Sequence, residues 1–308
     1  MVHKEREETR IPAAREQLSG VFAPITTPFR DDRVDEEALI YNIEKMNRTG
    51  LAGYFALGTN GEFKSLNLEE RWRVLEAVLR HRGRDMVVMA GCGAESSHES
   101  MELVAKAAEL GADLASLLMP SFFAKKMTVE VMERYVRRIA DSSPLPVVLY
   151  NNPGVAAGVT IRAELLRRLA DHPRVVGLKD SSPETFRENL AAAAPGFSVL
   201  AGSAAFFLQL LRAGGTGGVL SLANVLPEAC VRLYRAHVAG RAEEANRLNA
   251  VLVELNSQVS GSFGVAGVKA AMDLTGYRGG EPRHPLLGLK SAELNQVRAA
   301  LHRSGLLP

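Results

Sequence analysis

Val175-Val176-Gly177-Leu178-Lys179-Asp180 is an apolar run that stops at a lysine and an aspartate, and it reads as a short buried strand emerging into a loop. A strand that is apolar along its whole length, rather than at alternate positions, belongs to a parallel sheet covered on both faces. Lys179, at the outlet, borders dry surroundings, and partial desolvation favours its neutral amine. A neutral amine placed there can attack a ketone and form a Schiff base. Taken alone, a strand-end lysine is more often solvated or ion-paired, so the rest of the chain has to decide.

Seven further runs repeat the pattern: Val21–Thr26, Gly53–Leu57, Met86–Gly91, Leu114–Met119, Pro146–Tyr150, Ser198–Gly202 and Gly218–Leu222. Segments of helical period lie between them. In one, Leu68, Trp72, Leu75 and Leu79 recur at spacings of three and four and predict a single apolar face. Asn67 with Glu70, and Ser96 with Glu99, have the spacing of capping boxes, and Gly111 suits a left-handed helix terminus. Eight strands, each followed by a helix, predict an α/β fold, a (β/α)8 TIM barrel of about 250 residues. The expected division is an N-terminal arm over 1–19, the barrel over 20–240 and a C-terminal helical segment over 241–308. A doubly wound open sheet is the rival. It calls for a glycine-rich turn after the first strand, and Ala23-Pro24-Ile25-Thr26-Thr27-Pro28 is no such turn. Gly91-Cys92-Gly93-Ala94-Glu95-Ser96 begins like a dinucleotide fingerprint but lacks the third glycine.

Composition narrows the function classes. The 308 residues are 46% hydrophobic and 23% charged, with a net charge of +2. That balance, without a basic run interleaved with aromatics, argues against a nucleic-acid partner. No stretch approaches the roughly 18 apolar residues a membrane span requires. Met1 to Gln17 mixes basic and acidic residues, unlike a signal or transit peptide, so a cytoplasmic location is expected. Cys92 and Cys230 read as two buried free thiols, and the seven histidines show no metal-ligand spacing. No metal is therefore expected.

In such a barrel the chemistry sits on loops leaving the C-terminal strand ends. The second strand exits into Gly58-Thr59-Asn60-Gly61-Glu62-Phe63, a tight turn that presents hydroxyl, amide and N–H donors together. It suits a carboxylate, although an ordinary Asn-Gly turn looks the same. Glu62 is expected to brace its own loop rather than act as a base. The fifth strand ends in Tyr150-Asn151-Asn152-Pro153. Its tyrosine hydroxyl can exchange a proton or simply cap the core, and Lys179 arrives on the neighbouring strand about 4.8 Å away. Lys64, Lys125 and Lys126 follow polar or turn residues and read as solvated.

Gly58-Thr59-Asn60-Gly61-Glu62, Tyr150-Asn151-Asn152-Pro153 and Gly177-Leu178-Lys179-Asp180, in this order and spacing, resemble the GxxGE, YNxP and Schiff-base motifs of one class I aldolase superfamily. It is the dihydrodipicolinate synthase and N-acetylneuraminate lyase superfamily, and the likeness runs from about Gly20 to the C-terminus. Leu200-Ala201-Gly202-Ser203-Ala204, Leu222-Ala223-Asn224-Val225-Leu226 and Tyr277-Arg278-Gly279-Gly280 make the chain most similar to its 4-hydroxy-2-oxoglutarate aldolases. The resemblance implies a lyase with no cofactor beyond an imine between Lys179 and a small 2-oxo acid. Tyr150 would handle protons and Thr59 and Asn60 hold the carboxylate, with Ser181, Gly202 and Val219 lining the pocket. It further implies a homotetramer of two tight dimers. Two departures stand out. Where dihydrodipicolinate synthases carry a substrate-binding arginine, this chain has Val155, expected to be buried. Where the family places a relay tyrosine that crosses the dimer, it has Phe122, which leaves the proton route to Thr59 and Tyr150.

Overall fold

The structure, a computed structural model, describes residues 17–306. Residues 1–16 of the expected arm lie outside that range. Eight strands, β1 (Gly20–Ala23), β2 (Gly53–Ala56), β3 (Val87–Gly91), β4 (Leu114–Leu118), β5 (Val147–Asn151), β6 (Val175–Asp180), β7 (Ser198–Ala201) and β8 (Gly217–Val219), account for the eight runs. They pair in the cyclic order β1-β8-β7-β6-β5-β4-β3-β2 and close a barrel. Strand β1 pairs with β2, and β3 to β8 pair each with the next, in parallel throughout. The fold is the (β/α)8 barrel, and closure removes the sheet edge that the open alternative requires.

Eight helices follow the strands: α1 (Glu36–Met46), α2 (Leu68–His81), α3 (Ser97–Leu110), α4 (Val129–Ser142), α5 (Ala163–Leu169), α6 (Phe186–Ala192), α7 (Phe207–Arg212) and α8 (Pro227–Val238). Three more, α9 (Ala242–Asn256), α10 (Ser262–Leu274) and α11 (Ser291–Ser304), form the expected C-terminal segment. The caps are local chemistry. Asn67 and Glu70 make a reciprocal capping box, Ser96 accepts the Glu99 N–H, and Gly111 closes α3 in the left-handed region.

The apolar face expected for α2 holds except at Leu68. Val74, Leu75, Ala77 and Val78 are buried, whereas Leu68 in the first turn is 55% exposed. Two strands also end well before the expected runs do. β1 stops at Ala23, before Pro24, which has no N–H to continue a ladder. β8 gives way to a 3-10 turn over Ser221–Asn224, and the Asn224 amide donates to the Pro24 carbonyl at 3.0 Å.

The described chain divides into two compact units. The first, 17–19 with 89–202 and 209–218, contains β4 to β7, whose register aligns Leu118, Tyr150, Lys179 and Leu200 across four strands. The second, 20–88 with 203–208 and 219–306, joins β1 and β2 to α9, α10 and α11. Here α1 grips the segment after α10. Lys45 donates to the Gly276 carbonyl at 2.7 Å, and Asn42 exchanges two 2.8 Å bonds with the Arg278 backbone.

Within that unit β2 starts against the chain entering β3 so closely that a Cβ on Gly53 would lie 1.9 Å from the Val87 carbonyl oxygen. Gly53→Ala is therefore expected to destabilise by about 1–3 kcal/mol or more. The check is a lowered urea midpoint at unchanged slope.

Candidate active site

The alternation of β6 sends Lys179 and Asp180 to opposite faces. Lys179 is 4% exposed. Its partner in register across the β5–β6 pair is Tyr150, and its Nζ lies 3.6 Å from the Tyr150 ring centroid. Burial drives the Lys179 amine below the ordinary lysine range, while Tyr150 pushes back through charge and a hydrogen bond. The Tyr150 hydroxyl in turn accepts from the Asn152 amide at 2.9 Å, so the loop residue two positions on orients it.

Behind this pair a buried polar cluster ties the two strand ends together. The Asp180 carboxylate, fully buried, accepts from Asn151 at 2.8 Å, from the Ser182 N–H at 2.9 Å, from Thr185 at 3.0 Å and from Asn189 at 2.8 Å. Asn151 also accepts the Ile161 N–H at 2.9 Å, and Asn189 donates to the Ile161 carbonyl at 3.0 Å. Burial raises the Asp180 pKa and these four donors lower it. Strand β5, strand β6, the loop through Ile161 and α6 thus converge on one carboxylate, immediately next in sequence to the amine.

Ser181 and Gly202 meet where β6 and β7 end. The Ser181 N–H donates to Asn151 and the Gly202 N–H donates to the Asp180 carbonyl. A Cβ on Gly202 would lie 1.9 Å from the Ser181 Oγ. The glycine therefore makes room for that hydroxyl, which is buried and has no hydrogen-bond partner among the described residues.

The turn after β2 belongs to the second unit. Gly61 N–H donates to the Gly58 carbonyl and Glu62 N–H to the Thr59 carbonyl, closing two overlapping turns. Thr27 donates to the Gly61 carbonyl at 2.8 Å and Asn60 to the Ser221 hydroxyl at 2.9 Å. Thr59 is half-buried, Asn60 is buried, and Val219 is buried at the end of β8. Glu62 braces as expected, through a buried ion pair with Lys269.

Of the predicted site residues, Lys179, Tyr150, Ser181 and Gly202 come together at the adjoining ends of β5, β6 and β7 in the first unit. Thr59, Asn60 and Val219 lie in the second. Lys64, Lys125 and Lys126 are exposed, as expected. Val155 is a correction. It is 44% exposed, not buried, because it rides the turn in which its own N–H and that of Ala156 donate to the Asn152 carbonyl. Phe122 is 80% exposed, and Glu95 accepts the Ser121 and Phe122 N–H groups at 2.9 Å each. Sequence reasoning missed Asn151, Thr185 and Asn189, and it missed Lys269. No periodicity marks them, because their partners lie on other elements. Among the described residues no group of three or more His, Cys, Asp or Glu is placed to hold a metal ion.

The model of the dihydrodipicolinate synthetase family matches residues 17–304. The chain belongs to that family. With that membership it is an enzyme, a lyase. It is 32% identical over 304 residues to the "Probable 4-hydroxy-2-oxoglutarate aldolase, mitochondrial" of Emericella nidulans, covering 95% of this chain and 96% of that protein. It is 34% identical over 286 residues to the 4-hydroxy-tetrahydrodipicolinate synthase of Citrifermentans bemidjiense, covering 92% and 98%. Among solved structures it resembles YagE, a prophage protein of this family from E. coli K12 in complex with pyruvate. The TM-score is 0.87 and the identity 28%, with 94% of this chain and 99% of that one covered.

Two stability outcomes follow from the family member's buried groups. The unfolded chain keeps the Lys179 proton up to the ordinary lysine range and the folded chain releases it earlier, so this residue makes stability rise with pH between those two values. Lys179→Met should raise the melting temperature at neutral pH and flatten that rise, as read by thermal melts across pH 6 to 10 (an assay window set about the ordinary lysine pKa). Asp180→Asn turns amide hydrogens toward groups that donate, and should cost about 1–3 kcal/mol for each donor left unsatisfied. Urea unfolding measures it.

Proposed function

We propose that this chain is a class I aldolase that cleaves a 4-hydroxy-2-oxo acid, such as 4-hydroxy-2-oxoglutarate, to pyruvate and an aldehyde such as glyoxylate. The observation that carries the reading is the Lys179–Tyr150 pair: a buried amine with a lowered pKa, stacked on the ring of a tyrosine whose hydroxyl is oriented by Asn152. The amine adds to the C2 ketone and expels water, leaving an imine that is protonated and draws electrons. Tyr150 gives its hydroxyl proton to the departing water and, as phenolate, takes the proton from the C4 hydroxyl. The C3–C4 bond then breaks, its electrons move to the iminium, the aldehyde leaves and an enamine remains on Lys179. Protonation at C3 and addition of water release pyruvate and restore the amine. Lysine supplies the electron sink, so the cycle runs without a further cofactor.

Thr59 and Asn60 are assigned the substrate carboxylate, since their turn offers an N–H, a hydroxyl and an amide in a small space. Ser181, whose buried hydroxyl has no hydrogen-bond partner among the described residues, is assigned a polar group of the substrate, and Gly202 the space beside it. Val219 is assigned to the apolar lining. Phe122 carries no hydroxyl, so proton handling falls to Tyr150. Similarity to a synthase of Citrifermentans bemidjiense favours a second reading, condensation rather than cleavage. Val155 speaks against it, because an isopropyl group cannot bind a carboxylate in a bidentate manner. We extend the family likeness to a homotetramer in the cytoplasm.

Borohydride treatment in the presence of pyruvate should fix a pyruvate-derived adduct on Lys179, read by intact mass and peptide mapping. Lys179→Ala should abolish both adduct and turnover. Tyr150→Phe should slow turnover by about 10²–10⁴, the usual worth of general acid–base help, while leaving the adduct. An unmodified wild-type chain at saturating pyruvate, or turnover retained in Lys179→Ala, would overturn the proposal. Assaying a panel of 4-hydroxy-2-oxo acids for pyruvate and aldehyde together separates cleavage from dehydration, which releases no aldehyde.

A further inference from the structure

The turn assigned to the substrate carboxylate ends on Glu62, a buried residue with φ of 51°. A side-chain-bearing residue in the left-handed region is strained and persists only where its surroundings hold it. What holds Glu62 comes from the far end of the chain. One carboxylate oxygen is 2.5 Å from the ammonium of Lys269 in α10, and both side chains are essentially inaccessible to solvent. The other accepts the Arg283 N–H at 2.9 Å. Lys269 also donates to the Glu281 carbonyl at 3.0 Å and sits 4.4 Å from the centroid of the Phe29 ring. Arg283 continues the clamp: its guanidinium grips Glu70 in bidentate fashion at 2.8 Å and donates to the Ser65 carbonyl at 2.9 Å.

Tyr277-Arg278-Gly279-Gly280 acquires a physical meaning here. A Cβ on Gly279 would lie 2.1 Å from the Lys269 carbonyl oxygen, and Gly280 has φ of 67°. Both glycines let the chain fold back tightly over α10, which carries the Glu281 carbonyl to the Lys269 ammonium and the Arg283 N–H to Glu62.

A buried ion pair is a weak device for stability, because the cost of desolvating two charges often exceeds their attraction, and well-packed apolar side chains commonly do as well. It is a strong device for fixing geometry. Glu62 lies two residues beyond Asn60 and its N–H closes the Thr59 turn. We propose that Lys269 is a positioning residue: through Glu62 it holds the Thr59-Asn60 turn in the conformation that receives the oxo-acid carboxylate. The inference rests on the carboxylate role assigned to that turn above.

The test compares wild type, Lys269→Met and the double variant E62M/K269M, which removes both buried charges where the single variant leaves Glu62 unpaired. Two readouts are taken. Hydrogen exchange of the peptide covering residues 58–63 reports the turn without any ligand. Pyruvate titration of borohydride trapping on Lys179 separates half-saturation from the maximal trapping rate. In the folded double variant the turn should exchange faster and half-saturating pyruvate should rise about 10- to 100-fold, while the maximal rate moves less than about threefold and the peptide containing Lys179 is unchanged. Unaltered exchange at 58–63 would overturn the brace. Faster exchange with unaltered half-saturation would leave Lys269 purely structural and equally overturn the proposal. A wild-type chain that traps no pyruvate would instead sink the Schiff-base reading, with the exchange data still deciding whether the brace exists.

Discussion

Keeping an amine out of water is what the Lys179 region is organised around. An ammonium resists burial, and burial lowers the pKa of this lysine in the folded chain. That requires the β6 outlet to stay dry and to stay still. The register of β5 against β6 puts Tyr150 beside the amine, and the Asp180 cluster locks both strand ends to α6 and to the loop through Ile161. A single rigid strand would not do this. The amine's position depends on a carboxylate one residue away whose four donors come from three elements of the chain.

The second unit also buries a lysine, but beside a carboxylate. Glu62 and Lys269 are buried together as an ion pair, and burial that lowers the Lys269 pKa is opposed by the carboxylate it touches. Lys179 faces a tyrosine, and Lys269 faces a carboxylate. The two buried lysines thus differ in their partners. Lys179 Nζ lies 3.6 Å from the centroid of a tyrosine ring, whereas Lys269 lies 2.5 Å from a carboxylate oxygen.

The departures from the family pattern sit on exposed turns. Val155 and Phe122 both face outward on loops that follow strands of the first unit, and neither carries the polar group that the family resemblance led one to expect there. Neither alters the packing behind Lys179. Changes in such loops can redirect what a barrel acts upon without touching the strands that carry its chemistry, because loops bear little of the core.

The barrel itself was legible in the chain, since eight uninterrupted apolar runs have few other ways to bury both faces. So were Lys179, Tyr150 and the Gly58–Glu62 turn, because strand outlets can be read from where apolar runs stop. On the α2 face Leu75 is buried and Trp72 and Leu79 are half-buried, and only Leu68 departs, as spacing alone cannot say that a first-turn residue faces water. Val155 was judged buried from its side chain, and the Asn152 turn decided otherwise. Local periodicity and capping chemistry therefore determined the elements and the ends of the strands. Only tertiary structure decided which polar groups meet. The Asp180 cluster and the Glu62–Lys269 pair join residues up to 207 positions apart, a difference read from their numbers, and no spacing rule records a contact that chain closure alone creates.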